Sequence, residues 1–358
     1  MSLNRLLATA MLCSGLAFQA QAAPISATEA LNQFNLIVFG SAVSSSHVDG
    51  RAYVGGSVSG GNYAQHAQRM PDSPYAGLTV GGAASGVNVN GGGISVGGSL
   101  SGANINKGSA YVAGGATSTN FNGGAYVRGP EAFNNFNGGR LSEAPGLPTP
   151  EGIKTSMLDL SQELSQRGST GSTVELGDRK AVFNAVAGAD GVAVFDLTGG
   201  IAEELFRRGE FVFNTGNAGL IVFNIDALAL DFAVNFLNGS AQQIGGLAVW
   251  NFYNATDLII HNQFGGSVLA PNARFTNYNN IEGTVVANSL VQRGEIHLQP
   301  FRGAFPGSAQ PSVPPMANAV PEPGALALLL AGLGMMVVAS RGRVGKAAVQ
   351  ARSKSRKV

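Results

Sequence analysis

VGGAASGVNVNGGGISVGGSLSGANINKGSAYVAGGATSTNFNGG, residues 80–124, carries two tracks that keep one period. Val80-Gly81-Gly82, Val96-Gly97-Gly98 and Val112-Ala113-Gly114-Gly115 recur at a constant step, and Asn88-Val89-Asn90, Asn104-Ile105-Asn106 and Asn120-Phe121-Asn122 recur between them at that same step. Val54-Gly55-Gly56 opens the first track one longer step before Val80, while Val127-Arg128-Gly129 and Asn135-Phe136-Asn137 end the two tracks one position short of the period. A shared period marks the stacked coils of a solenoid, in which each repeat buries its apolar side only against its neighbours. Sixteen residues at about 3.3 Å each trace a coil of about 50 Å, room for two or three short strands with corners.

Strand alternation places Val54, Val80, Val96 and Val112 inside one wall and Val89, Ile105, Phe121 and Phe136 inside another. The glycines of the Val-Gly-Gly track are expected at corners that need positive φ. The excess length of the first step falls in the polar stretch 62–75, with Pro71 and Pro74. The asparagines beside the inward residues, Asn88, Asn90, Asn104, Asn106, Asn120, Asn122, Asn135 and Asn137, are expected to face outward as a ladder at about 4.8 Å per coil. That ladder reads either as a hydrogen-bonding face for sugar hydroxyls or ordered water, or as turn chemistry that stabilises the stack. Ice binding would favour ranks of Thr-x-Thr, and only Thr117-Ser118-Thr119 has that form.

Beyond the repeats, Ile153, Met157, Leu160 and Leu164 predict an amphipathic helix along the solenoid wall, with Thr149 as N-cap, Pro150 at the first helical position and Gly168 to end it. A shorter helix over residues 28–34, with Ser26 and Glu29 as a capping box, is expected to shield an open end of the stack. Strands rich in aromatics return between 181 and 298 at irregular spacing, interrupted by a brief helix over 201–208. Residues 303–319 form a Pro-, Ala- and Ser-rich spacer.

Both termini read as targeting signals. Arg5, the apolar run 6–18 and the small-x-small site Ala20-Gln21-Ala22 predict a secretory signal peptide over 1–23. At the other end, Val320-Pro321-Glu322-Pro323 precedes an uncharged run, residues 324–340, followed by Arg341, Arg343 and a basic tail over 344–358. Seventeen residues make a marginal membrane helix, and the seven cations beyond it favour a cytoplasmic C-terminus. The body, 24–302, is then expected outside the cytoplasm, with an ordinary permanent anchor as one reading of the C-terminal run. The chain's only cysteine, Cys13, lies in the expected signal peptide, so packing and backbone hydrogen bonds must stabilise the body without disulfides. Leaving out Arg5, the seven tail cations and Glu322 keeps 14 basic against 20 acidic residues, a body of about −6 that argues against nucleic-acid partners.

The C-terminal arrangement of 320–343 resembles the PEP-CTERM sorting signal, which implies export by the Sec machinery, a transient stay in the inner membrane, and an exosortase that cuts near Pro321 to Pro323 and sends the body to the cell surface or extracellular matrix. Asn35-Leu36-Ile37-Val38-Phe39-Gly40 leading to Asp49-Gly50-Arg51-Ala52-Tyr53-Val54-Gly55-Gly56 resembles the opening of the choice-of-anchor A domain. Gly266-Ser267-Val268-Leu269-Ala270-Pro271-Asn272-Ala273, Glu282-Gly283-Thr284-Val285-Val286-Ala287 and Gly294-Glu295-Ile296-His297 are similar to its closing segment. That resemblance spans about residues 28–301. It implies a mainly β fold, a right-handed parallel β-helix with one long α-helix packed alongside, similar to ice-binding and adhesive solenoids, and a role in adhesion or matrix structure.

No sequence pattern points to catalysis, a cofactor or a metal. The four histidines, at 47, 66, 261 and 297, show no metal-ligand spacing, so a zinc site would have to be assembled in space. Asp226 with Asp231 and Glu203 with Glu204 are the carboxylate pairs a glycan-active β-helix would use, but solvation at turns or on a helix surface explains them better. Trp250, Phe252, Tyr253 and Tyr278 are the aromatics a carbohydrate-binding module would stack on sugar rings, against a default of core packing. The expected function is that of a non-catalytic structural or adhesive surface protein, with extracellular polysaccharide or other surface proteins as partners.

Overall fold

The computed structural model describes residues 24–299, 301–303 and 305; the expected signal peptide, most of the expected spacer and the expected sorting signal, Val320 to Pro323 with Arg341 and Arg343, lie outside them. The chain divides into two compact units, Met1–Gln310 and Pro311–Val358, and every described residue belongs to the first.

Each N-terminal coil is three short parallel strands joined by corners. Ala52–Val54, Leu78–Val80, Ile94–Val96, Ala110–Val112 and Ala125–Val127 stack in register as a first wall. Val58–Ser59, Ala84–Ser85, Leu100–Ser101, Ala116–Thr117 and Glu131–Ala132 form a second. Asn62–Tyr63, Asn88–Val89, Asn104–Ile105, Asn120–Phe121 and Asn135–Phe136 form a third. The expected interior residues point inward and are fully buried, except Phe136, half-buried because no complete coil follows it. The long step is filled by a loop with a 3-10 turn at Ala67–Arg69. Buried Arg51 anchors that loop, its guanidinium donating to the carbonyls of Pro71 at 2.7 Å and Tyr75 at 3.2 Å.

The chain enters this stack in the middle. Leu36–Val38 pairs on one side with Ala52–Val54 and on the other with residues 285–287, so the first coil and the last lie side by side. From Leu36 the N-terminal coils stack in one direction to Ala125; the C-terminal coils begin at the opposite end with Val192–Leu197 and return through 220–225, 249–251 and 268–270 to Val285. Pairing runs from Val194 to Val222, Val249 and Ser267, and then from Val268 to Val285, so these coils start wide and shorten steeply towards the seam. The far end is finished by an antiparallel strand, Thr173–Leu176 on Lys180–Asn184, whose outward Thr173 and Glu175 keep the edge polar.

Coil width explains the composition of the core. The narrow coils fill mainly with Val, Ala, Leu and Ile, with single rings at Tyr63 and Phe121, whereas the wide ones gather many: Phe183, Phe195, Phe211, Phe223 and Trp250 are all buried together. Trp250 stacks on Phe223 at 3.8 Å between centroids and its indole N–H donates to the Gly265 carbonyl at 2.8 Å.

Helix α1 (Ala27–Gln33) starts at Ser26, whose hydroxyl accepts from the Glu29 N–H at 3.2 Å. It does not cover an end of the stack, because the first coil has neighbours on both sides. Ala30 and Leu31 pack instead beside α2 (Ile153–Ser165) in a second core over the outer surface of the first wall. Helix α2 buries the predicted stripe, Ile153, Met157, Leu160 and Leu164, on outward Val194, Val222, Val249 and Leu269. Its N-cap is Gly152 in the left-handed region, φ 71°, rather than Thr149; the chain turns once more after Pro150 before it becomes helical. Two wall asparagines satisfy carbonyls near its C-terminus: Asn224 donates to Leu164 O at 2.6 Å and Asn251 to Ser161 O at 2.9 Å.

The Val-Gly-Gly glycines are not positive-φ corners; none of Gly55, Gly56, Gly81, Gly82, Gly97 and Gly98 has left-handed φ. They allow close approach. A Cβ on Gly98 would sit 2.7 Å from Gly82 O and 2.8 Å from its carbonyl carbon, and the same column reads Gly40, Gly56, Gly82, Gly98, Gly114, Gly129. Positive φ falls at the corner between second and third walls, at Gly60, Gly86, Gly102, Ser118 and Phe133, and again after the third wall at Gly92, Gly93 and Gly108.

Candidate functional site

Both asparagine columns exist, and most of their bonding is internal. Each side-chain amide donates to the oxygen of the coil before it: Asn88 to Asn62 at 2.9 Å, Asn104 to Asn88 and Asn120 to Asn104 at 2.7 Å, and Asn135 to Asn120 at 2.6 Å. The second column runs from Gln65 through Asn90, Asn106 and Asn122 to Asn137, at 2.6, 2.7, 3.4 and 2.7 Å. One N–H and one lone pair per amide remain for a ligand. Asn62 and Gln65 extend the ladders beyond the eight asparagines of the periodic track; the longer first step of the valine track, applied to Asn88, locates Asn62.

The second wall offers a flatter surface. With Val58, Ala84, Leu100 and Ala116 inward, Ser59, Ser85, Ser101 and Thr117 form one outward rank, and Ser57, Ala83, Ser99 and Gly115 stand beside it. Ser57 Oγ is occupied, accepting from Ala83 N at 3.1 Å. No side-chain hydrogen bond occupies Ser59, Ser85, Ser101 or Thr117 among the described residues. A shallow groove of about 310 Å³ runs along Ser99, Ser101, Thr117 and Pro130. Thr117-Ser118-Thr119 does not make a threonine rank, since Ser118 turns the corner and Thr119 is buried. Sequence reasoning passed over this wall because short Ser and Ala side chains among glycines look like turn composition.

Three of the four histidines converge at the seam. His297 Nδ1 meets Glu282 Oε1 at 2.8 Å and its Nε2 meets Glu295 Oε2 at 2.7 Å. Those carboxylates, with Asp49 nearby, outweigh burial and push His297 up to about 9. Burial would raise Glu282, but hydrogen bonds from His297, Gln263 and Gln299 hold it below the usual carboxylate range. His47 lies between Asp49 and Glu295, at 3.4 and 3.6 Å, and His66 is 3.4 Å from Asp49. A histidine raised from 6.5 to about 9 stabilises the fold fully below about pH 6.5 and loses that contribution as pH rises through 9. Urea unfolding at pH 6.5 and pH 10 should therefore differ by about 2 kcal/mol after allowance for solvent screening, and His297→Gln should remove the difference.

The residues weighed for glycan chemistry do not converge. Trp250 and Phe252 are buried; Tyr278 is half exposed but lies against His261 at 4.9 Å. Asp226 is bonded by Asn254 at 2.6 Å and Asp231 by His261 at 2.7 Å. Glu203 and Glu204 line an open pocket of about 570 Å³ on α3 (Ile201–Phe206), where Arg208 pairs with Glu204 one helical turn on. Among the described residues no helix is long and apolar enough to cross a membrane.

No curated protein and no solved structure matches the chain. Residues 27–298 match the family model described as "Putative Ice-binding-like adhesive domain", from the first turn of α1 to just past the strand Ile296–His297. With most of its length inside that match, the chain belongs to this ice-binding-like adhesive domain family.

Proposed function

We propose that this protein is an exported adhesin of the cell surface or extracellular matrix that acts through the second wall and performs no catalysis. The observation that carries the reading is the rank Ser59, Ser85, Ser101, Thr117: unoccupied hydroxyls at about 4.8 Å spacing on a face held flat by parallel pairing. A regular row of short donors and acceptors suits an extended, repetitive partner such as extracellular polysaccharide, at little cost in side-chain entropy. The non-catalytic reading draws support from the engagement of Asp226, Asp231 and Glu204 by neighbouring side chains. Export by the Sec machinery with signal-peptide cleavage after Ala20 to Ala22, a choice-of-anchor A architecture, and exosortase processing near Pro321 to Pro323 complete the reading.

Binding of the purified protein to its host's polysaccharide tests it. Ser85→Tyr with Ser101→Tyr should lower affinity about tenfold or more by raising rings above the flat face, without touching the core. Asn106→Ala with Asn122→Ala should leave affinity within about twofold. The reverse pattern would move adhesion to the amide ladder, and no change in either would remove both faces from the role.

A further inference from the structure

The seam holds an arrangement that neither adhesion nor stacking uses. Asp49 Oδ1 lies 3.4 Å from His47 Nε2 and 3.4 Å from His66 Nε2. The Asp49 side chain is 4% exposed, and its other oxygen accepts from the Leu298 N–H at 3.0 Å. Oδ1 receives no hydrogen bond, so a buried carboxylate oxygen is aimed between two imidazoles with neither donating to it. Two donors of one tetrahedral ion, each about 2.0 Å from the metal, stand about 3.3 Å apart. Both separations from Asp49 match that spacing and exceed those of good charge-assisted hydrogen bonds, about 2.7–2.9 Å, while the two imidazoles stand farther from each other than that spacing and must close on the ion.

We propose that His47, Asp49 and His66 bind one divalent transition-metal ion of the zinc class, a ligand set of two imidazoles and a carboxylate with its remaining position open to solvent. Imidazole nitrogens select d-block ions over calcium or magnesium. The surroundings suit a ligating histidine: the other nitrogen of His47 faces Glu295 Oε1 at 3.6 Å, a carboxylate that a small shift would bring into the hydrogen bond that orients such rings. His66 is tethered by its own N–H to Asp49 O at 3.0 Å. Its side chain, 41% exposed, leaves an entry path and the freedom to swing towards His47 as the ion draws the three donors together. His47 also stands within 4.8 Å of donor atoms of Glu295 and His297. That alternative seat is filled already, because both nitrogens of His297 are hydrogen-bonded to carboxylates. The ion would fasten the loop that follows Asn62–Tyr63 to Asp49, which itself holds the last coil through Leu298.

The test is titration of the purified, EDTA-stripped chain with zinc chloride, followed by calorimetry and thermal unfolding. The expected result is one equivalent bound with micromolar affinity or better and a melting temperature raised by several degrees. His66→Ala, a half-exposed loop position that should not disturb folding, is expected to weaken binding about tenfold or more, as is His47→Ala. His261→Ala and His297→Ala should retain the equivalent. Absence of saturable binding, or binding unchanged by His66→Ala, would overturn the site. Loss with His297→Ala but not His66→Ala would place the ion beside Glu295 and overturn this ligand assignment.

Discussion

Gly98→Ala is expected to destabilise the protein by about 3–5 kcal/mol, whereas Gly102→Ala, four residues on, should cost about 1 kcal/mol. The order is opposite to the one backbone angles suggest. Gly102 has φ +59°, yet a Cβ there would meet nothing closer than 3.9 Å, and the next coil places Ser118 at the same corner with φ +51°. Gly98 has ordinary φ, but its Cβ would press on three backbone atoms of Gly82 and Ala83 at 2.7–3.0 Å. Backbone cannot rotate away as a side chain can, so the rung must open and weaken the Gly98 N–H bond to Gly82 O, 2.8 Å in the native coil. Urea denaturation of the two variants beside the parent decides it; equal losses would mean that the stack flexes more readily than parallel pairing at every wall implies.

Trp250→Ala should cost about 4 kcal/mol and lower the melting temperature by roughly 8–15 °C. The indole is wholly buried among Phe223, Phe211, Phe183 and Phe264, in coils too wide to close around the void. Trp250→Phe should recover much of the loss, because stacking on Phe223 survives while the bond to Gly265 O does not. As the only tryptophan in the chain, it reports its own environment: native emission should be strongly blue-shifted and move red in one step on unfolding. A loss under about 1 kcal/mol in the alanine variant would show that the aromatic core collapses around the gap.

The N-terminal coils were legible because one period runs through both tracks. Val80, Val96 and Val112 occupy equivalent positions at equal steps, and pairing in register is the cheapest way to bury them. The C-terminal coils hid because they shorten on the way to the seam and because α3 and α4 (Ser240–Gly245) lie within them, so no period emerges. Glycine roles were misread for a physical reason: positive φ and close approach both select glycine. The distinguishing signal was present, since the close-approach column is glycine in every N-terminal coil while the corner column admits Ser118 and Phe133. His47, Asp49 and His66 are near one another along the chain, but only the fold brings Glu282, Glu295 and His297 to them, and no spacing rule encodes a neighbour from the opposite end of the domain.

The entry of the chain at mid-stack makes completeness a structural requirement. Until residues 285–287 arrive, Leu36–Val38 has a bare edge, and so does the C-terminal half that waits to meet it. A polypeptide cut short before Thr284 would carry two unpaired parallel edges, each a ready template for a strand from another molecule. Closing them brings Asn35 O and the Val285 N–H, from opposite ends of the domain, to 3.0 Å. So long a loop makes this among the slowest contacts to form. The final rung thus works as a lock turned last: a chain that has not been read to its end cannot hide that fact from its neighbours.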